Sequence, residues 1–165
     1  MLMICLVMTI LIIFADQFIK YWAITDLKSV GTIPIIQDVL HLTYSENRGA
    51  AFSILSGKTE ILLIVTVIML AFLLYMILAK KFTHKLAVYS TSLIIAGGIG
   101  NLIDRAFREG NFVVDYIDFR LINFAIFNLA DICIVCGTIL LMLYFIFIDG
   151  KSEQNISEEG HDKND

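Results

Sequence analysis

Eight polar side chains stand out because everything around them is apolar. Asp16 lies in IIFADQFIK, Asn101, Asp104 and Arg105 close GGIGNLIDR, Asp115 and Asp118 punctuate VVDYIDF, and Asn128 and Asp131 open FNLADICIVC. An ionisable group costs roughly 2.5–3.5 kcal/mol at the centre of a membrane helix, so such groups point to function. Two carboxyls brought close cannot both ionise readily: one pKa rises and the pair holds a single proton. The ionised member then takes a proton from water while the protonated member donates to a carbonyl. That is general acid–base hydrolysis of a peptide bond, with no metal and no covalent intermediate. Asp131 is the hardest of the eight to explain structurally, although a helix start would favour its charge. Simpler structural roles exist for the others. Asp16 and Lys20 are four apart and would pair across a helical turn. Asp104 and Arg105 would form a helix-end charge pair, and Asn128 would bond a neighbouring helix. Asp115 and Asp118, three apart, would share one helical face, so spacing does not choose between them.

Other chemistries are poorly supplied. There is no HExxH pair for zinc, and the three histidines, His41, His84 and His161, are scattered over different segments. Cys133-Ile-Val-Cys136 has redox spacing but sits in an apolar run, where such pairs pack. Gly97-Gly98-Ile99-Gly100 follows no soluble strand; small residues in a span allow close helix packing. No cofactor and no metal are expected.

The elements that must position these groups follow from composition. The chain has 165 residues, 58% hydrophobic and 17% charged, with one proline. A soluble domain is nearer half apolar and a quarter charged, so a polytopic membrane protein is expected, and a soluble enzyme or a disordered chain is excluded. The net charge of −4 comes largely from Asp149 to Asp165, which hold six acids and two lysines. Such a chain has no basic footprint for nucleic acid. Three cysteines in apolar runs argue against a disulfide scaffold.

A span needs about 20 apolar residues. Four candidates meet this: about 1–22, 61–79, 86–103 and 124–148. The first lacks a basic n-region and a small-x-small cleavage site, so a retained helix is expected over a cleaved signal peptide. Lys80-Lys81-Phe82-Thr83-His84-Lys85 carries three lysines and no acid, the mark of a cytoplasmic loop. Both termini are then cytoplasmic, and all eight of the polar side chains in the apolar runs fall at the outer face. In the first outer connection Val39–Tyr44 alternates like a half-buried strand, and Thr32–Ile36 would pair as an edge that tolerates Pro34. The reading is an all-α integral membrane protein: one four-helix domain over 1–150, a small β element and a short helix in the outer connection, and a disordered acidic cytoplasmic tail over 151–165.

Five blocks in order carry a resemblance. Asp16-Gln17 with Lys20, NRGAAF from Asn47 to Phe52, GGIGNLIDR from Gly97 to Arg105, VVDYI from Val113 to Ile117 and FNLAD from Phe127 to Asp131 resemble the lipoprotein signal peptidase (signal peptidase II) family. The resemblance implies a bacterial cell-membrane aspartyl endopeptidase, acting as a monomer among membrane lipids. Its substrates would be prolipoproteins, cut just before a diacylglyceryl-modified cysteine. It implies Asp115 and Asp131 as the catalytic pair. Asn47, Arg48 and Gly49 would position substrate near its lipid, with Asp16, Lys20, Asn101, Asp104, Arg105 and Asn128 supporting the site. The hydrophobic stretch Arg120–Phe127 departs from the longer polar insertion of many members. The rival class is a proton-coupled carrier, which also uses buried carboxylates; carriers, however, place their sites at the midplane between inverted repeats, and this chain has neither.

Overall fold

The structure is a computed structural model and describes residues 1–49 and 58–149. Among the described residues, four helical stretches are long and apolar enough to cross a membrane: Leu2–Val30, Thr59–Leu78, Lys85–Phe107 and Leu129–Asp149. The acidic tail, and Ala50 to Phe52 of the NRGAAF block, lie outside the described residues.

The first helix, α1 (Leu2–Trp22), does not stop at Trp22. It continues through a π-helical turn (Ala23–Leu27) into α2 (Lys28–Val30), so the short helix of the connection is its extension. Burial explains the extra length. Ala23 and Leu27 are fully buried among Phe112, Val114 and Tyr116, beneath a small sheet. Gly31, at φ 81°, ends the helix in a conformation that glycine adopts without strain.

The sheet has three antiparallel strands in the order β1 (Thr32–Ile36), β2 (Leu40–Asn47), β3 (Val113–Phe119). Pro34 falls on the edge strand, where its missing N–H does no harm. The register of β2 against β3 slips between Leu42 and Ser45, a bulge of the kind that re-aims side chains. β3 corrects the sequence reading, which placed Asp115 and Asp118 on one helical face. On a strand, residues three apart point to opposite faces.

The remaining helices are α3 (Thr59–Leu78), α4 (Lys85–Phe107) and α5 (Leu129–Tyr144), the last extended by a π-helical turn (Phe145–Asp149). α5 starts five residues later than the apolar run suggests. Phe127 exchanges backbone hydrogen bonds with Ile117, 3.0 and 2.8 Å, so the segment before Asn128 is committed to the sheet rather than to a helix. α4 is the hub on which α1, α3 and α5 all pack. Its glycines permit that: a methyl on Gly97 would run into the Ala130 carbonyl, and one on Gly100 would lie 2.6 Å from an Asp16 oxygen. The exposed faces of α1 and α3 are apolar, with residues such as Ile10, Phe14, Val65 and Phe72 outward, as contact with lipid requires.

Candidate active site

The first turn of a helix leaves backbone N–H groups without intrahelical partners. In α5 the first three are each met by a side chain, two of them from other elements. The Leu129 N–H donates to the Tyr116 hydroxyl of β3 (3.1 Å), that of Ala130 to Asp16 Oδ1 of α1 (3.1 Å), and that of Asp131 to Asn128 Oδ1 (3.0 Å). Asp131 Oδ2 in turn accepts the Asn128 N–H at 3.1 Å, closing a reciprocal capping box. The helix start is thus nailed to α1 and β3, and Asp131 is fixed on it.

Two amides join the carboxyls. Asn128 Nδ2 donates to Asp115 Oδ1 at 2.6 Å, and Asn101 Nδ2 donates to Asp131 Oδ1 at 2.8 Å. Asn128 Nδ2 also lies 3.3 Å from Asn101 Oδ1, linking the amides to each other. Asn47 Nδ2 donates to Asp115 Oδ2 at 2.9 Å, its own orientation set by the Gly49 N–H on Asn47 Oδ1 at 2.9 Å. Beneath them lies Lys20, wholly buried. Its ammonium has three donors, and three acceptors meet it: Asp16 Oδ2 (2.9 Å), Asp104 Oδ2 (3.1 Å) and Asn101 Oδ1 (2.9 Å). By claiming the oxygen of Asn101, Lys20 turns that amide's NH₂ toward Asp131. Asp104 also receives Arg108 Nη2 at 2.6 Å and the Val114 N–H at 3.2 Å, which ties α4 to β3 one residue before Asp115.

A cleft of about 450 Å³ opens beside this network, walled by Asn47, Asn101, Arg105, Asp131, Ile132 and Val135 among others. Asp131 faces the cleft. Asp115 is only 2% exposed and sits one layer behind, reached past Asn47.

Comparison with known proteins bears on what such a site belongs to. The sequence profile of the family described as signal peptidase (SPase) II matches residues 8–147. The lipoprotein signal peptidase of Clostridioides difficile is 46% identical over 91% of this chain and 99% of its own length. That of Halothermothrix orenii is 45% identical, covering 84% and 92%. The chain belongs to the signal peptidase II family. A solved bacterial membrane enzyme, determined by the in meso method, superposes with a TM-score of 0.80 at 33% identity, covering 86% of this chain and 87% of that one. Membership makes the chain a multi-pass membrane protease of the aspartic class; nothing among these relatives supports a carrier.

In this chain the expected site residues converge, with one exception. Arg48 is 55% exposed; it bonds Glu46 (3.2 Å) and the Gly110 carbonyl (3.4 Å) and stands over the Phe112 ring. It is not among the residues that line the cleft. The arginine in the cleft wall is Arg105, which donates to the carbonyls of Gly49 (3.0 Å) and Asn101 (3.4 Å). Nor does Asp104 pair with Arg105: its partners are Lys20 and Arg108. Arg108 and the Tyr116 hydroxyl were not anticipated. The four-residue spacing of Asp104 and Arg108 was the available signal for the first; nothing in the sequence marks the second.

Environment separates the aspartates. Burial first, and the neighbouring Asp131 charge second, push the Asp115 carboxyl up to about 7, against the bonds from Asn47 and Asn128. Burial would raise Asp118 too, but bonds from Thr43 and Arg120 outweigh it and hold Asp118 below its ordinary value. Among the described residues no three His, Cys, Asp or Glu side chains converge as metal ligands.

Proposed function

We propose that Asp115 and Asp131 form the acid–base pair of a signal peptidase that removes signal peptides from prolipoproteins. The bond cut is the one before a diacylglyceryl-modified cysteine. The observation that carries this is the shared Asn128, which caps Asp131 through its backbone and holds Asp115 through its amide. Asp131, at a helix start that favours the anion, takes a proton from water as the oxygen attacks the scissile carbonyl carbon. Asp115, reached as Asn47 swings off it, gives its proton to the carbonyl oxygen. In the second step Asp131 returns its proton to the leaving nitrogen and Asp115 takes one from the gem-diol. The C–N bond breaks, and both carboxyls regain their starting states.

The sheet end of the bundle faces outward from a bacterial cell membrane, with the Lys80–Lys85 loop and both termini cytoplasmic. A signal peptide lying as a membrane helix would then present its cleavage site at this depth, its acyl chains still in lipid. The protein acts as a monomer, without nucleic acid, metal or cofactor. The test is cleavage of a diacylglyceryl-cysteine precursor peptide by purified protein in detergent with a chelator present. Cleavage before the modified cysteine is expected, at a rate the chelator leaves unchanged. Loss of activity with chelator would discard the carboxyl mechanism.

A further inference from the structure

The stretch from Arg120 to Phe127 forms one wall of the cleft, through Phe124 to Phe127, but its first half looks the other way. A 3-10 turn (Arg120–Ile122) followed by Asn123 in the left-handed region (φ 49°) holds two large aliphatic side chains outward. Leu121 is 64% and Ile122 65% exposed. The turn is fastened, not loose: the Arg120 N–H donates to the Val39 carbonyl at 2.9 Å, and Arg120 Nε donates to Asp118 at 2.8 Å. Val39 belongs to the hairpin that follows β1, whose Ile35 and Ile36 are also more than half exposed. Two segments far apart in sequence therefore present aliphatic side chains at the same end of the sheet. Between Phe119 and Phe127 the only charge is Arg120.

This apolar surface adjoins the outward face of a membrane span. Two residues after Ile122, Phe124 is itself exposed and shares the cleft wall with Ile132 and Val135 of α5, which belong to the outward stripe of a membrane span along with Ile139. A patch joined to a lipid-facing helix, with Ile122 six residues ahead of that helix's Asn128 cap, would lie at the level of the acyl-chain and headgroup boundary. We infer that the Arg120–Ile122 turn is a membrane foot. Leu121 and Ile122 insert into the leaflet adjoining the sheet, and Arg120 stays at headgroup level. Because Phe124 to Phe127 hang between this foot and α5, the foot also holds the cleft mouth open to lipid rather than to water. That second role rests on the proposed function; the insertion itself does not.

A single-tryptophan protein tests insertion. In a Trp22→Phe background, Leu121→Trp in phosphatidylcholine vesicles should emit at shorter wavelength than Glu109→Trp, an exposed reference in the α4–β3 turn. It should also be quenched more by lipids brominated near the headgroup than by lipids brominated near the chain ends. Emission and quenching equal to the Glu109→Trp reference would overturn the foot. The second role is read from Leu121→Ser/Ile122→Ser, checked for unchanged helix content. In vesicles its KM for a diacylglyceryl-cysteine precursor should rise several-fold with kcat unchanged, and the difference should vanish in detergent micelles. An unchanged KM in vesicles would overturn the mouth-setting role while leaving insertion standing. Absence of cleavage by the wild-type protein would instead strike the proposed function, with the quenching result unaffected.

Discussion

Asp115 and Asp118 are identical in chemistry, yet the strand sends one toward Asn128 and Asp131 and the other toward Thr43 and Arg120. Asp115→Asn and Asp131→Asn should each lower kcat by roughly 10²–10⁴-fold, the usual worth of a positioned acid or base. The double change should cost little more, because the two act as a unit. Asp118→Asn should keep most activity. Steady-state rates normalised to folded protein decide it: a dead Asp118→Asn beside a working Asp115→Asn would reverse the assignment. Asp115 must hold a proton to act as the acid, so activity should fall as pH rises through about 7, and a second, lower limb should report the pair rather than one residue. Arg105→Lys should lose activity, since an ammonium cannot reproduce the two-carbonyl reach of the guanidinium, whereas Arg48→Lys should be tolerated; comparison of their kcat/KM values checks this. The acids were legible because carboxylates in apolar runs are rare. Their ranking was not, because the three-residue spacing in VVDYIDF also fits one helical face, and burial, which lifts Asp115, leaves no trace in spacing.

At the scale of elements, the site is the junction of a helix start, a strand and the buried ends of two further helices. The four spans could be read from hydrophobic runs alone, and β1 and β2 from alternation and the proline. The start of α5 could not, because a backbone pairing between Phe127 and Ile117 overrides an apolar pattern that continues without a break. A capping pattern was nonetheless present, Asn128 followed three residues later by Asp131. The junction makes Lys20 a structural keystone for the site. Lys20→Met leaves Asp16 buried without its cation and Asp104 with Arg108 alone, a loss of about 3–5 kcal/mol by analogy with broken buried pairs. Lys20→Arg should fare little better, because a planar fork does not match three acceptors around a point. Denaturation midpoints of the purified variants in detergent measure both.

For the whole molecule, orientation decides whether the site meets exported substrates. With Cys5, Cys133 and Cys136 replaced, single cysteines at Ser29 and Glu109 should react with an impermeant reagent in intact cells, and one at Thr83 should not; labelling of Thr83 alone would invert the topology. The Lys20 network bears also on how the bundle is made. Asp16 and Lys20 are four apart on α1, and Asp104 and Arg108 are four apart on α4. Each helix therefore carries an acid and its own counter-ion one turn away. α1 emerges from the ribosome well before α4, and it can enter the bilayer already neutral, without waiting for its eventual partner. α4 can do the same. Only when they meet do the two private pairs merge, as Lys20 reaches Asp104 at 3.1 Å. Insertion of α1 thus leaves no bare charge waiting in hydrocarbon, and an insertion assay on α1 alone should show Lys20→Met entering less readily than wild type.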